Sequence, residues 1–243
     1  MREARIGPGG GLQHDREWAL YSVDGRWVNG KRTAAIHLIR AEYSEAVDEV
    51  RLSVPGDQRG IPARTFAFPK ENEEAAEWFS VYFEQVILVR SSENGFPDDP
   101  IANGPTIASR ESVLRVGEWF PELTEESVRR RFRTTLELDG VPAFWEDRLF
   151  GADERSAVRF AIGEVAMEGS NPCARCPVPP RDPMTGENLD GFQKIYTQMR
   201  RVELPDWSPA ERFDHFYRFA TNTRVAGTET GKVLRVGDTL EMK

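Results

Sequence analysis

Two thiols and one guanidinium lie close together in the segment NPCARCPVPPRDPMTGE, residues 171–187. Cys173 and Cys176 are the only cysteines of this 243-residue chain, and Arg175 lies between them. A thiolate is a nucleophile and a soft metal ligand, and nearby positive charge favours it over the neutral thiol. The segment could therefore supply one working thiolate, a redox dithiol, part of a zinc site, or two inert thiols.

Neither a thioredoxin-like dithiol nor a zinc site is favoured by the residues around the two cysteines. A thioredoxin-like motif places its first cysteine at a helix N-terminus, but Pro177, Pro179 and Pro180 prevent a helix from running through this segment. A closed zinc site needs four ligands, and the three histidines of the chain show no ligand spacing. One working thiolate and an inert pair both remain open on the chemistry alone.

Composition restricts the classes of partner. Acidic residues outnumber basic ones and give a formal net charge of -8, which argues against a protein that binds nucleic acid backbone. No apolar run approaches the ~20 residues of a membrane span, and the first residues contain no secretory signal. Two closely spaced cysteines are not a disulfide framework. The sequence predicts a cytoplasmic protein that binds neither nucleic acid nor membrane.

Short strands dominate the elements that must position these thiols. In the first ninety residues the pattern predicts a hairpin over 19–28 that turns at Asp24-Gly25, strands over 47–56, 64–69 and 85–91, and a helix over 71–83. The stretch 91–105 is rich in turn-forming residues and predicts a boundary.

The second half predicts helices and hairpins that lead into the cysteine segment. Ser109 and Thr124 are the expected N-caps of helices over 110–119 and 125–132. A strand over 132–140 and hairpins over 158–169 and 231–242 are also predicted, the hairpins turning at Gly163-Glu164 and Gly237-Asp238. The first hairpin leads directly into Asn-Pro-Cys.

The cysteine segment resembles the signature of the MOSC family, domains related to the C-terminal part of molybdenum cofactor sulfurases. That signature reads Lys or Asn followed by Pro-Cys-x-Arg-Cys, then a short apolar stretch and Asp-Pro-x-Thr-Gly. Its last part is similar to residues 182–186. Further segments resemble the family along nearly the whole chain: GGGLQHDREWALYSVDGRWVNGKR (9–32), GPTIASRES (104–112), RFRTTLELDG (131–140), FATNTRV (219–225) and GKVLRVGDTLEM (231–242).

This resemblance implies a mixed, mainly β fold and a molybdenum cofactor, Mo-molybdopterin. The expected architecture is a β-barrel-like MOSC domain over 100–243, a smaller N-terminal β-rich domain over 1–92, and a few short helices. The family's opening strand, which contacts the cofactor through Pro-x-Lys-Ser, has no counterpart, so the N-terminal domain is interpreted as truncated at its start.

The resemblance also implies roles for individual residues. Cys176, the cysteine after the arginine, would be the metal ligand, and Arg175 would meet the pterin or its phosphate. Asp182 would either position a proton near the metal or only form the Asp-Pro turn. Strand alternation would place Arg131 and Arg133 on one face to bind phosphate. The remaining cofactor-binding candidates are Lys31, Arg32, Ser109, Thr135, Asn222 and Arg224, with Thr135 replacing an asparagine of the family.

The function implied is that of the amidoxime-reducing members of the family. Such a protein removes oxygen from a small N-hydroxylated substrate at molybdenum and needs a separate electron-donor protein, because no iron–sulfur, flavin or nicotinamide motif is visible. The alternative is a sulfur carrier or cofactor-sulfuration module with a persulfide on Cys176 or Cys173. Fused sulfurase relatives use pyridoxal phosphate, but no lysine here has a recognisable Schiff-base context.

Overall fold

The computed structural model describes residues 2–97, 99 and 101–243. Strands account for 28% and helices for 24%, and this confirms the predicted mixed, mainly β class. The strands are β1 Glu3–Arg5, β2 Trp18–Ser22, β3 Arg40–Tyr43, β4 Glu49–Ser53, β5 Arg64–Ala67, β6 Ile87–Ser91, β7 Ile107–Ser109, β8 Leu136–Leu138, β9 Val158–Ile162, β10 Val165–Ala174, β11 Arg218–Arg224, β12 Val233–Arg235 and β13 Leu240–Met242. The α-helices in the described part are α1 Asn72–Phe83, α2 Arg110–Trp119, α3 Glu125–Phe132 and α4 Phe192–Val202.

A six-stranded sheet carries the cysteine segment. Its strand order is β13-β9-β10-β11-β7-β8, with β7 and β8 parallel and the other neighbours antiparallel. Val165 pairs with Ile162, so the predicted hairpin with Gly163-Glu164 at its tip is confirmed. Strand β10 ends at Ala174, which places Cys173 in the strand and Cys176 in the loop that follows.

Apolar side chains cover this sheet on both faces. Ile107 and Ala108 are adjacent in β7 and point to opposite sides, as strand geometry requires. Ile107 packs with Phe160 in one core cluster, whereas Ala108 packs with Phe132 and Tyr196 in another. Helices α2, α3 and α4 supply much of the second cluster. The sheet is therefore held rigidly between two layers, and the loop after β10 projects from a fixed support.

The first part of the chain forms smaller sheets. Strands β3, β4 and β5 make a curled half-barrel, and helix α1 packs its Trp78 and Phe79 against Val50 and Phe66 of that sheet. Strand β2 pairs with β6, and the predicted turn at Asp24-Gly25 is present. The returning arm of that hairpin is reduced to a single bridge between Tyr21 and Trp27.

Two predicted elements differ from the structure. Residues 231–242 are not a hairpin, because β12 pairs with β1 and β13 pairs with β9. Val233 and Leu234 are both buried, so this segment needs cover on two sides and is not a two-stranded surface ribbon. The predicted strand over 132–140 is also shorter, since Phe132 still belongs to α3 and β8 begins only at Leu136.

The predicted boundary over 91–105 includes residues 98 and 100, which lie outside the described residues. Strand β1, from the first residues, pairs with β12 near the other end of the chain. Across the described ranges, every helix is too short or too polar to cross a bilayer.

Candidate functional site

The cysteine segment is fixed by pairing with β11 and by backbone hydrogen bonds beyond it. Strand β10 shifts register on both sides of Pro172, and its last pair joins Ala174 to Arg218. The N–H of Arg175 then donates to the carbonyl of Tyr217 at 3.0 Å. Cys173 and Cys176 are half-buried free thiols. The segment therefore presents two sulfurs from an extended backbone, without the helix that a thioredoxin-like dithiol requires.

Arg175, which lies between the two cysteines in sequence, contacts Cys173. Its Nη1 donates to Cys173 Sγ at 3.1 Å, and its Nη2 donates to the carbonyl of Phe132. The guanidinium also lies over the Phe132 ring, 5.5 Å from its centre. Within the described residues Cys176 Sγ makes no hydrogen bond. The two thiols therefore have unequal surroundings: one is held by a cation and the other is available to a ligand.

Asp182 organises the turn that follows the prolines. Its Oδ1 accepts hydrogen bonds from the N–H groups of Met184 at 2.8 Å and Thr185 at 3.0 Å. Burial would raise the pKa of Asp182, but these two hydrogen bonds and the charge of Arg131 outweigh it and hold the pKa below its usual range. Asp182 is thus an ionised residue of the turn that the Asp-Pro pattern predicts, and its role in positioning a proton near the metal stays a prediction.

Arg131 holds the proline-rich loop in place through side-chain hydrogen bonds. Its side chain is buried in α3, and Nη1 donates to the carbonyls of Pro179 at 3.0 Å and Pro180 at 2.9 Å. Nη2 lies 3.3 Å from Asp182 Oδ2. The predicted strand face shared by Arg131 and Arg133 is wrong, because capping by Thr124 and i,i+4 ion pairs extend the helix through Phe132.

Arg133 ends that helix and points outward. It has left-handed backbone angles, φ 52° and ψ 42°, and its N–H donates to the carbonyl of Arg129 at 2.7 Å. Its side chain is exposed. Burial lowers the pKa of His37, a hydrogen bond with the Gly30 backbone opposes this, and the charges of Arg181 and Arg133 lower it further. Arg133 therefore faces the N-terminal segment that contains His37.

That N-terminal segment lies against the turn of the cysteine segment. A Cβ on Gly30 would lie 3.0 Å from His37 Nε2 and 3.5 Å from a methyl group of Val178. Arg40 Nη2 donates to the carbonyl of Met184 at 2.9 Å. The backbone that carries Lys31 and Arg32 is anchored at Asn29, whose Oδ1 accepts from the Lys31 N–H at 3.1 Å. The predicted basic residues Lys31 and Arg32 are thus carried by the segment that contacts the cysteine loop.

Three shielded polar atoms near this loop have no hydrogen-bond partner in the described residues: Arg175 Nε, Arg181 Nε and Tyr217 Oη. Burial raises the pKa of Tyr217, the charge of Arg175 opposes this and that of Cys176 adds to it, so the hydroxyl stays protonated. Buried polar groups are normally paired. A concentration of unpaired donors around two free thiols fits an anionic ligand rich in oxygen and nitrogen acceptors, as a pterin phosphate is.

The remaining residues predicted to bind the cofactor are less favourably placed for that role. Ser109 is fully buried, and its hydroxyl accepts from the Ser112 N–H at 3.1 Å as a helix cap. The Thr135 hydroxyl lies 3.3 Å from Thr106 Oγ1. Asn222 pairs with Asn171 in the sheet, two residues before Cys173. Arg224 lies further along β11, opposite Glu168. Of these, Asn222 lies nearest to the cysteine segment along the sheet ladder.

A buried polar cluster in the described residues was not predicted from the sequence. It consists of Glu146, Asp147, Arg200 and Ser208, and Asp147 Oδ2 accepts hydrogen bonds from both Arg200 and Ser208. Glu146 Oε2 accepts from the Ser109 N–H at 3.1 Å and from Ser112 Oγ at 2.9 Å, while Oε1 has no partner in the described residues. The one signal in the sequence was an acidic pair set between large apolar residues in AFWEDRLF.

Glu146 is expected to make stability depend on pH. Burial, followed by the charge of Asp147, raises its pKa to about 7. The folded state then binds a proton that the unfolded state has lost above pH ~4.5, so the free energy of unfolding falls as pH rises from ~4.5 to ~7, by at most about 3 kcal/mol. Urea unfolding of Glu146→Gln at pH 5 and pH 8 should lack this fall. Exposed Glu126→Gln is the control; identical pH dependence in both variants would contradict the assignment.

Arg131→Ala and Arg133→Ala should differ in stability. Removing Arg131 leaves two proline carbonyls without their donor and should cost about 1–3 kcal/mol. Removing exposed Arg133 should change apo stability by less than about 0.5 kcal/mol but weaken retention of an anionic cofactor. Thermal unfolding of the apo protein measures the change in stability, and cofactor content after gel filtration measures the retention of the cofactor. A large loss of apo stability in Arg133→Ala would instead make it a structural residue.

Among the described residues, no three His, Cys, Asp or Glu side chains gather into a metal-binding group.

No protein family model matches the chain. The chain is similar to the molybdenum cofactor sulfurase of Drosophila persimilis, with 27% identity over 207 residues that cover 73% of this chain and 25% of that protein. The corresponding protein of Drosophila ananassae is 28% identical over 202 residues with the same coverage. The chain thus spans about a quarter of the length of the curated relatives it matches. Relatives with this name confirm the resemblance drawn from the sequence and are consistent with a MOSC-domain protein.

Proposed function

We propose that this chain binds a molybdenum cofactor at the cysteine segment and reduces N-hydroxylated compounds, with Cys176 as the thiolate ligand. The observation that carries the proposal is the set of unpartnered donors around two unequal thiols. The similarity to molybdenum cofactor sulfurases supports a role connected with this cofactor. The reductase activity itself comes from the resemblance to the amidoxime-reducing members.

The residues of this chain would divide the work of binding. Cys176 would hold the metal, and Arg133 with Lys31 and Arg32 would bind the phosphate, for which guanidinium groups offer paired donors. When bound, the cofactor would supply two-electron redox chemistry at molybdenum. The Tyr217 hydroxyl keeps its proton and can donate a hydrogen bond to a group beside Cys176. Arg175 holds Cys173 and leaves Cys176 free.

Metal and pterin analysis of protein produced in a molybdenum-replete host tests the proposal. Roughly one molybdenum and one pterin per chain is the expected result for a 1:1 site. Protein that carries cyanide-labile sulfur and no molybdenum would contradict it.

A second candidate function is supported by the contact between Arg175 and Cys173. A sulfur carrier needs a nucleophilic thiolate, and a guanidinium 3.1 Å from Sγ suits that state. The thiolate would attack the terminal sulfur of a persulfide donor, form a new S–S bond, and release the donor as a thiolate. Under this alternative Cys173→Ser, and not Cys176→Ser, would lose the labile sulfur.

The proposed reductase should not accept electrons from a nicotinamide. The glycine-rich stretch GPGGG at 7–11 forms a tight turn, closed by a hydrogen bond from the Gly7 N–H to the Gly11 carbonyl. A dinucleotide site requires a helix after such a turn, whereas here the next element is strand β2. Molybdenum-loaded protein should reduce an amidoxime or a hydroxylamine with reduced viologen and should be inactive with NADH alone. Turnover with NADH and no other protein would contradict this prediction.

A further inference from the structure

A groove beside the cysteine loop runs between helix α4 and the prolines that follow Cys176. It is open to solvent and has a volume of about 860 Å³. Pro177 and Pro180 form apolar parts of its lining, and Arg181, Lys194 and Arg201 supply positive charge. Cys176, Arg133, Lys31 and Arg32, which the proposed function assigns to the metal and the phosphate, lie outside this lining, whereas Arg181 belongs to it. The groove therefore offers a site beside that of the proposed cofactor.

The positive charge of the groove is not neutralised by its neighbours. Within the described residues, Arg181, Lys194 and Arg201 form no ion pair with an acid. Arg201 lies over the Phe216 ring, 5.9 Å from its centre, and Asp190 is the one acid in the lining. In a chain with net charge -8, three such cations around one groove reverse the local sign of the potential and favour an anion.

The two walls hold these cations in fixed positions. Arg181 pairs through its backbone with Asn188, its N–H donates to the Val178 carbonyl at 2.8 Å, and its shielded Nε has no acceptor in the described residues. On the other wall, Lys194 and Arg201 are two turns apart in α4, which separates them by about 10 Å along the helix axis. The first turn of α4 has no acidic residue and no capping side chain, so its backbone adds positive potential.

We infer that this groove binds an amphipathic organic anion. Arg181 and Lys194 hold its phosphate or carboxylate, and its apolar part rests on Pro177 and Pro180. Pro177 lines the groove and directly follows Cys176 in the chain, so the groove lies beside the proposed metal ligand. With Cys176 in that role, the ligand is assigned as the substrate: an N-hydroxylated compound that carries an anionic group. This identification as substrate rests on the proposed function, whereas the anion site does not.

Titration calorimetry of the purified full chain with phenyl phosphate tests the anion site, and uncharged benzyl alcohol is the comparison. Saturable 1:1 binding of phenyl phosphate alone is expected. Arg181→Gln and Lys194→Gln should each weaken it about tenfold, since a hydrogen bond to a charged group contributes roughly 1.5–3 kcal/mol. The matched controls Arg159→Gln and Lys70→Gln, both at exposed positions, should bind as the parent does.

Three results would overturn the inference: no saturable binding, equal binding of benzyl alcohol, or unchanged affinity in Arg181→Gln and Lys194→Gln. The Cys176→Ser variant separates this site from the proposed function, because it should bind phenyl phosphate normally whether or not the parent holds molybdenum. In molybdenum-loaded protein, phenyl phosphate should raise the KM for an anionic amidoxime without lowering kcat. Binding without such competition would overturn the identification of the ligand as substrate.

Discussion

Replacing Cys176 by serine should abolish molybdenum retention, while replacing Cys173 by serine should leave most of the metal bound. Serine offers a hard hydroxyl where molybdenum requires a soft thiolate. Cys176 Sγ makes no hydrogen bond within the described residues, whereas Cys173 Sγ is held by Arg175 at 3.1 Å. The change at Cys176 therefore removes a ligand, and the change at Cys173 removes only a neighbour of that ligand.

Molybdenum per chain, measured by mass spectrometry after gel filtration, checks this difference, together with thermal unfolding of the three apo proteins. Both variants should unfold within a few degrees of the parent, because neither thiol belongs to the buried core. Equal loss of metal in both variants would mean that the two sulfurs act as a chelating pair. Loss in Cys173→Ser alone would reverse the assignment.

The largest loss of stability should come from Arg200→Met. Arg200 and Asp147 form an ion pair in which both side chains are almost fully buried, and the guanidinium lies 4.0 Å from the centre of the Phe144 ring. Methionine leaves the Asp147 carboxylate buried, and within the described residues the Ser208 hydroxyl is then its one remaining side-chain hydrogen-bond donor. Removing one partner of a buried ion pair typically costs about 3–5 kcal/mol.

Urea unfolding at pH 7 measures that loss. The control is Arg159→Met, which breaks an ion pair with Glu168 in which the arginine side chain is 74% exposed and should cost less than about 1 kcal/mol. The double variant Arg200→Met with Asp147→Leu should recover most of the lost stability, because it removes both buried charges. A loss below about 1 kcal/mol in Arg200→Met would show that solvent reaches the Asp147 carboxylate.

Local signals in the sequence predicted the elements that depend on local chemistry. Ser109 and Thr124 cap helices α2 and α3 as expected, since each side chain accepts from an N–H three residues on. The turn at Gly163-Glu164 is also as predicted. The strand face expected for Arg131 and Arg133 is wrong because Arg131 lies within helix α3, whose range 125–132 the Thr124 cap also predicts, and Arg133 is the residue that ends it. The local capping signal was therefore the better guide at this boundary.

The candidate site was predictable in its motif but not in its contacts. Arg175 lies between the two cysteines in sequence. Because an extended backbone turns neighbouring side chains to opposite sides, its guanidinium meets Cys173, two residues back. The cluster of Glu146, Asp147 and Arg200 joins residues far apart in sequence. A pairing between buried charges that are far apart in sequence gives only a weak signal in any short stretch of residues.

The pairing of β1 with β12 has a consequence for the order in which the chain can fold during synthesis. Arg5 Nη1 donates to the carbonyl of Gly231, which lies 226 positions later in the sequence, so β1 is synthesised well before the strand that pairs with it. Until then the β1 backbone and Ile6, which belongs to a core cluster, remain without their native cover. Closing so long a loop is slow and leaves an unpaired strand exposed, the situation in which a nascent chain depends on chaperones.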